Sequence, residues 1–420
     1  MKYDLNWIRK QKKINKIQIK KVNLLNLKKW NINKIDIHHF SKKFFQIIGI
    51  SVRSNFGKKN WDQPIMVQNE NGILGIIVKK FDREYKYLLQ AKVEPGNINL
   101  LQISPTVQAT ESNYSKVHGG KDTNFINFFK KKKFLMKSKQ SEQGLRYLHK
   151  FNTNYLILIN KKINLPYNFR WFSKTELKKL IKIKNIINMD TISIFSCFLN
   201  KNSKEQKINS KIKLSLWFKN NSKKFFIIVK KKAIYRIKDW VFSKKEIYNI
   251  QNRHFSIIGL EIKSNCREVP EWHQPIIAGK KLGFAGFIVT KYKNTLHYLC
   301  RYIVKPGLKS GNISCSANCS DIKDFKYNSN IPFYEFEILN YFFKKKNILY
   351  DNIHSDEGGR FYQTQVKRVV IKINNYNDIK INDNFLWLSH NQFIDMIDKG
   401  LVDIEARLLF ACFNFDKIKL

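Results

Sequence analysis

A chain of 420 residues with a formal charge of +46 invites a nucleic-acid or anionic-membrane reading, but 66 of its 78 basic residues are lysine. They are spread among Asn, Ile, Phe and Tyr, as AT-rich codon usage produces, rather than gathered as the arginine forks that read bases and phosphates, so the runs at 130–133, 230–232 and 344–346 are read as solvated faces. No apolar run reaches membrane-spanning length, no signal-peptide core follows the start, and six cysteines without CxxC pairing disfavour a zinc site and suit a reducing cytoplasm.

In chain order, residues 1–37 read as a short helix or arm ahead of the first domain. Residues 44–52 read as a strand, β-branched and aromatic, ending at a turn over 54–60. Strands are expected at 73–78, 85–89 and 98–103. The last follows Glu94-Pro95-Gly96-Asn97, where Pro presets φ and Gly accepts a positive one. Phe125, Phe128, Phe129 and Leu135 recur at helical spacing, predicting a helix over 124–137. A buried strand at 155–159 follows a loop over 141–147. Ser173 and Glu176 form a capping box opening a helix through Leu180, and a last short helix covers 192–199. The polar stretch 201–224 reads as a linker.

The remainder repeats the first half. Adding 211 carries Trp61, Gln63, Pro64, Gly75, Val78, Tyr87, Pro95 and Gly96 onto Trp272, Gln274, Pro275, Gly286, Val289, Tyr298, Pro306 and Gly307. Further on, Ser141 to Tyr147 overlies Ser355 to Phe361, the box recurs at Ser389 and Gln392, and Asp190 to Phe198 overlies Glu405 to Phe413. Two homologous domains follow, 38–200 and 225–420, each with a strand-rich opening and then helices, which is an α+β tandem duplication.

Periodicity does not name a reaction; motifs go further. Gln90-Ala91-Lys92-Val93-Glu94-Pro95-Gly96-Asn97, with Leu100 to Thr110 and Ser112-Asn113-Tyr114, resembles the signature of the NDP-hexose 2,3-dehydratases. Arg267 to Pro275 and Glu357-Gly358-Gly359-Arg360-Phe361-Tyr362 are similar to its second-half motifs. The resemblance implies a duplicated Nudix-hydrolase-like fold, a homodimer, and a TDP-linked 4-keto-6-deoxyhexose bound in a pocket of each repeat, with the first pocket active. The implied chemistry needs no cofactor. The C4 ketone acidifies the C3 hydrogen, a base removes it, an acid helps the C2 hydroxyl leave as water, and the enol becomes a 3,4-diketo-2,6-dideoxy sugar.

Site residues are carried over on the same resemblance. Trp61 and Trp272 stand as pocket residues that stack on a base or cover the sugar, beside their reading as core aromatics. Glu142, Gln143, Gly144, Leu145 and Arg146 match a loop near the nucleotide, as do Asp356, Glu357, Gly358, Arg360, Phe361 and Tyr362 in the second copy. Gly144 would admit the diphosphate and Arg146 fork to it, against an ordinary Gly turn with an ion pair. Asp190, Thr191, Glu405, Ala406 and Arg407 open the last helices, as substrate contacts or as helix-terminal charges. Tyr114 and His118, directly after the motif, are the candidate acid and base, although a lone His is more often structural.

The second copy departs from the pattern. Arg301 stands where Gln90 stands, and Cys315-Ser316-Ala317-Asn318-Cys319 has lost the Pro, Thr and Gln of the first motif. Ile192 lies opposite Arg407, so the first pocket is expected to lack a cation that the second keeps. A Nudix box is absent from both copies, which disfavours pyrophosphate hydrolysis and a metal requirement. Two other classes stay open: a non-catalytic sugar-nucleotide binder, and a basic nucleic-acid binder with salt-dependent affinity for DNA.

Overall fold

Ile17–Val22 sets half-buried Ile17, Ile19 and Val22 against exposed Gln18, Lys20 and Lys21, an amphipathic strand that needs a sheet to lie on. It finds that sheet in the other half of the molecule. In the computed structural model, which describes all residues except 1, 116–118, 120–121, 131–132, 209–211, 252–253, 280–281, 320–332 and 345, this strand pairs antiparallel with Phe255–Ser264. Its counterpart Ile227–Lys232 pairs antiparallel with Gln46–Ser54. The halves therefore exchange their first strands reciprocally.

Each half builds a seven-stranded sheet and five strands of a six-stranded one, whose sixth strand comes from the other half. In the first half's larger sheet, Phe151–Ile159 runs parallel to Gly72–Phe81, while Glu84–Val93, Met136–Ser141 and Phe169–Ser173 join antiparallel. The second half repeats this with Gln365–Lys372 parallel to Gly283–Tyr292. The fold is α+β with two repeated halves.

Helices Met189–Ser196 and Ile404–Phe413 face each other at the centre. Every residue of the first is buried, its polar Asp190, Thr191, Ser193 and Ser196 included. The largest buried cluster joins Ile76, Leu89, Leu156 and Ile194 to Phe287, Leu388, Leu408 and Phe410, so the halves share one core. The Pro-Gly turns dock reciprocally as well. Gly96 donates its N–H to the Gly358 carbonyl and Gly307 donates to Gly144, both at 2.7 Å. A Cβ on Gly96 would lie 1.8 Å from the Phe361 carbonyl oxygen, and on Gly307 1.6 Å from that of Tyr147, so only glycine permits the approach.

Both capping boxes form, at Ser173 over Lys174–Leu180 and at Ser389 over His390–Asp398. Other expectations need correction. The helix over 124–137 is only Ile126–Phe129, because Met136–Ser141 is claimed as a strand by Phe151–Ile159. The strand at 98–103 is Leu101–Pro105, and the last helix of the first half is Met189–Ser196. The stretch read as linker carries the helix Leu214–Lys224, which matches Lys2–Ile14 in the first half. All six cysteines are free thiols, and among the described residues no helix is long and apolar enough to cross a membrane.

Candidate active site

The reciprocal docking creates a cavity of about 450 Å³ that neither half could form alone. The first half supplies Lys28, Lys29, Trp30, His39, Phe44, Phe45, Glu94, Pro95 and Asn113. The second supplies Arg267 to Val269, Glu271 to Gln274, Gly359 and Arg360. Aromatic faces and a set of cations thus share one space, which suits a planar base joined to an anion. Arg360 stacks over Phe45 at 4.4 Å, and its Nε has no hydrogen-bond partner. Both ring nitrogens of His273 are also unpartnered. Buried donors left without partners are expensive unless a ligand meets them.

Glu94 is the one carboxylate of the first half on this wall, and it is 2 % exposed. It pairs with Lys92 at 3.2 Å and accepts from Gln108 at 3.2 Å and Asn188 at 3.3 Å. A second carboxylate stands behind it. A Cβ on Gly359 would lie 2.4 Å from Glu357 Oε1 and 3.9 Å from Glu94 Oε1, so both acids face one point. Burial pushes Glu357 up to about 7, against the neighbouring Arg360. The Tyr147 hydroxyl donates to its Oε2 at 3.3 Å. Beneath them, burial and the charges of Glu357, Glu142 and Glu94 hold Asp190 well above the usual carboxylate range. Glu142 is raised by burial too, chiefly opposed by Arg407, and accepts from Asn152 at 2.7 Å. A buried carboxyl raised in this way can serve as a general acid beside a second carboxylate.

A family model of the NDP-hexose 2,3-dehydratases matches residues 2–198 and again 211–413. The chain belongs to the NDP-hexose 2,3-dehydratase family. It is 30 % identical over 423 residues to a dTDP-4-dehydro-6-deoxy-alpha-D-glucopyranose 2,3-dehydratase of Amycolatopsis orientalis, covering 97 % of this chain and 89 % of that protein. Proteins of the same description from Saccharopolyspora spinosa and Streptomyces violaceoruber are each 28 % identical, over 96 % and 97 % of this chain and 89 % and 95 % of theirs.

The family's loops cross over between halves. Gly359 and Arg360 line the large cavity, whereas Gln143, Gly144, Leu145, Arg146, Asp356 and Glu405 line a cavity of about 100 Å³ with Lys305 and Asn318. Of the two tryptophans, Trp272 lines the large cavity, while Trp61 packs against Ile48, Ile50, Val52 and Ile65. Each indole donates to the Gln two residues on, Trp61 to Gln63 at 2.9 Å and Trp272 to Gln274 at 2.8 Å. Gly358 meets Gly96, Phe361 lies edge-on to Tyr147 at 5.7 Å, and the Lys21 ammonium sits 5.0 Å over Tyr362. Thr191 donates to the Ile103 carbonyl at 3.2 Å, and Ala406 is buried.

Tyr114 does not line the cavity. It packs with the Ile126 and Phe129 cluster, with the Lys130 ammonium 5.6 Å over its ring, and its neighbour Asn113 reaches the cavity instead. His118 lies outside the described residues. Arg407, expected as a cation kept by the second pocket, lines neither cavity. That side chain crosses the interface, donating to Ser193 Oγ at 2.7 Å and Ser196 Oγ at 3.0 Å.

Glu94, Arg267 and Trp30 were not singled out by role, although Glu94 stands inside the signature motif. Among the described residues one group has ligands suited to a metal: Glu261, Glu271 and His273 bring ligating atoms within 4.8 Å of one another at the cavity's edge. Lys263 lies 3.9 Å and 3.5 Å from the two carboxylates and already offsets their charge. Beside the large cavity, a groove of about 560 Å³ runs past Phe44. Its Glu70 accepts from the Ser112 N–H at 2.6 Å and hydroxyl at 2.9 Å, and Asp36 and Glu111 also line it.

Proposed function

We propose that this chain removes the C2 hydroxyl of dTDP-4-dehydro-6-deoxyglucose as water, in the making of a deoxysugar. The observation that carries the reading is Glu94, a buried carboxylate in the wall of a cavity that also presents aromatic rings and cations, while the cavity's other acids, Glu268 and Glu271, are paired with Arg267 and Lys263. Trp30, Trp272 and Phe44 offer faces to the thymine and sugar; Arg267, Arg360, Lys28 and Lys29 offer charge to the diphosphate.

Glu94 takes the C3 proton. Electrons move into the C2–C3 bond as the C2–O bond breaks, and Glu357, behind Gly359 of the wall and facing the same point as Glu94, gives its proton to the departing hydroxyl. The resulting C3 enol takes a proton at C2 and becomes the 3,4-diketone. Tyr114, away from the cavity wall, has no step in this scheme. Each half reads as Nudix-like, the chain as a homodimer of the cytoplasm, and Glu142, Asp190 and Thr191 as support beneath the reacting carboxyls rather than contacts of the sugar.

Incubating the purified chain with dTDP-4-dehydro-6-deoxyglucose in D2O tests the reading. Mass spectrometry should record loss of water and one solvent deuterium retained at C2. Unchanged sugar nucleotide would refute it. Retained dTDP affinity without turnover would instead favour a non-catalytic binder.

A further inference from the structure

The last helix of the second half carries Arg407, which is fully buried and lines no described cavity. Its Nη1 donates to the Ser193 hydroxyl at 2.7 Å, the Ser196 hydroxyl at 3.0 Å and the Ser193 carbonyl at 3.4 Å. Its Nη2 donates to the Ser141 carbonyl at 3.4 Å. One cation of the second half therefore grips two separate segments of the first.

Both segments lead to the reacting acids. Ser193 and Ser196 belong to helix Met189–Ser196, whose N-cap residue Asn188 accepts from the Asp190 N–H at 2.8 Å and donates to Glu94 at 3.3 Å. Ser141 ends the strand that leads into Glu142 and the loop to Tyr147, and Tyr147 donates to Glu357 at 3.3 Å. Ser193 also donates to Asn154 at 2.9 Å, on the strand beside that loop.

We propose that Arg407 is a positioning residue for the dehydration, a strap from the second half that fixes the supports of Glu94 and Glu357 in mutual register. The proposal rests on the 2,3-dehydratase reading. It also adds to the parts of Glu357, Arg267 and Arg360 a way in which the second half acts on the first half's own supports. A buried guanidinium can hold several oxygen acceptors at once because its donors form a rigid fork. Small displacements of a reacting group far exceed in kinetic cost what they do to binding.

The strap also sets charge. Glu142 faces Arg407, Lys150, Asn152 and Glu405, and Arg407 is the chief group opposing its burial. Asp190 faces Glu357, Glu142, Glu94 and Lys92. Removing the guanidinium therefore lets Glu142 take its proton at higher pH, and because the ionised carboxylate is what holds Asn152, the acidic limb of the rate profile should move upward.

The test measures kcat, KM, the pH dependence of kcat/KM and the melting midpoint for the wild-type chain and for Arg407→Gln, Arg407→Lys and Ser193→Ala. Arg407→Gln should lose kcat about 100-fold with KM nearly unchanged, and its acidic limb should move up. Arg407→Lys, keeping the charge, should leave the limb in place and recover part of kcat. Should Arg407→Gln fail to fold, Ser193→Ala decides: it keeps the cation, and should lower kcat without moving the limb. Full kcat and an unmoved profile in folded Arg407→Gln, or full kcat in Ser193→Ala, would overturn the strap. A wild-type chain that never dehydrates the substrate would instead overturn the functional reading beneath it.

Discussion

The two halves carry the same backbone at their Pro-Gly turns but opposite chemistry. In the first, the carboxylate of Glu94 is met by the amide of Asn188. At the equivalent places in the second, the ammonium of Lys305 is met by the carboxylate of Asp403 at 2.7 Å, and Ser314 and Asn318 donate to the same acid at 3.2 Å and 3.1 Å. Arg368 pairs with Glu405 at 2.8 Å beside them. The second centre has thus turned its ionisable groups on one another and closed to about 100 Å³, while the first keeps an acid open to about 450 Å³. Duplication supplied two sites, and the neutralised one became scaffold.

Breaking the second centre should cost stability and leave the chemistry alone. Asp403→Asn strands the Lys305 ammonium in a buried place, which should lower unfolding free energy by about 3–5 kcal/mol. Denaturant unfolding would record that loss, with kcat of the folded protein unchanged. An equal fall in kcat would mean that the small centre takes part in the reaction.

The mirrored arginines sharpen the contrast. Arg360 stacks over Phe45 at 4.4 Å and Arg146 over Phe255 at 4.3 Å, in nearly identical poses. Only Arg360 lines the large cavity. Arg360→Ala should weaken dTDP binding by about 1.5–3 kcal/mol, the range for a charge-assisted contact, whereas Arg146→Ala should leave calorimetric affinity unaltered.

A further contrast lies in the pH dependence of stability. Glu357 is raised from its ordinary 4.5 to about 7, chiefly by burial. A group raised on folding contributes stability that is fully present below its unfolded value and is lost as pH rises through its folded one. Stability should therefore fall between about pH 4.5 and pH 7. Glu357→Gln should flatten this slope in part. A remainder should persist from Asp356 in the second centre, also raised to about 7. A slope untouched in Glu357→Gln would place the titration elsewhere.

Much of this was legible in the sequence, because the duplication leaves matching residues at nearly constant spacing. The capping boxes at Ser173 and Ser389 were legible for the same kind of reason, since each is a local interaction across three residues. What crosses between halves was not. Ile17–Val22 reads as an amphipathic strand, but nothing in its pattern names Phe255–Ser264 as its partner. Arg407 looked like a cation of the second pocket because its own half was the only frame available. Glu94 was masked by its turn, where Glu-Pro-Gly announces a reversal and hides that the side chain is left facing a cavity built by both halves. The helix over 124–137 failed because aromatic spacing at Phe125 and Phe128 says nothing of the sheet that recruits Met136–Ser141.

The most direct measurement is the rate of water loss from dTDP-4-dehydro-6-deoxyglucose by Glu94→Gln beside the wild-type chain, with dTDP affinity followed in parallel. The account predicts that affinity survives while the rate falls by about 10²–10⁴-fold, as for loss of a general base. A Glu94→Gln protein that releases water at the wild-type rate would contradict it.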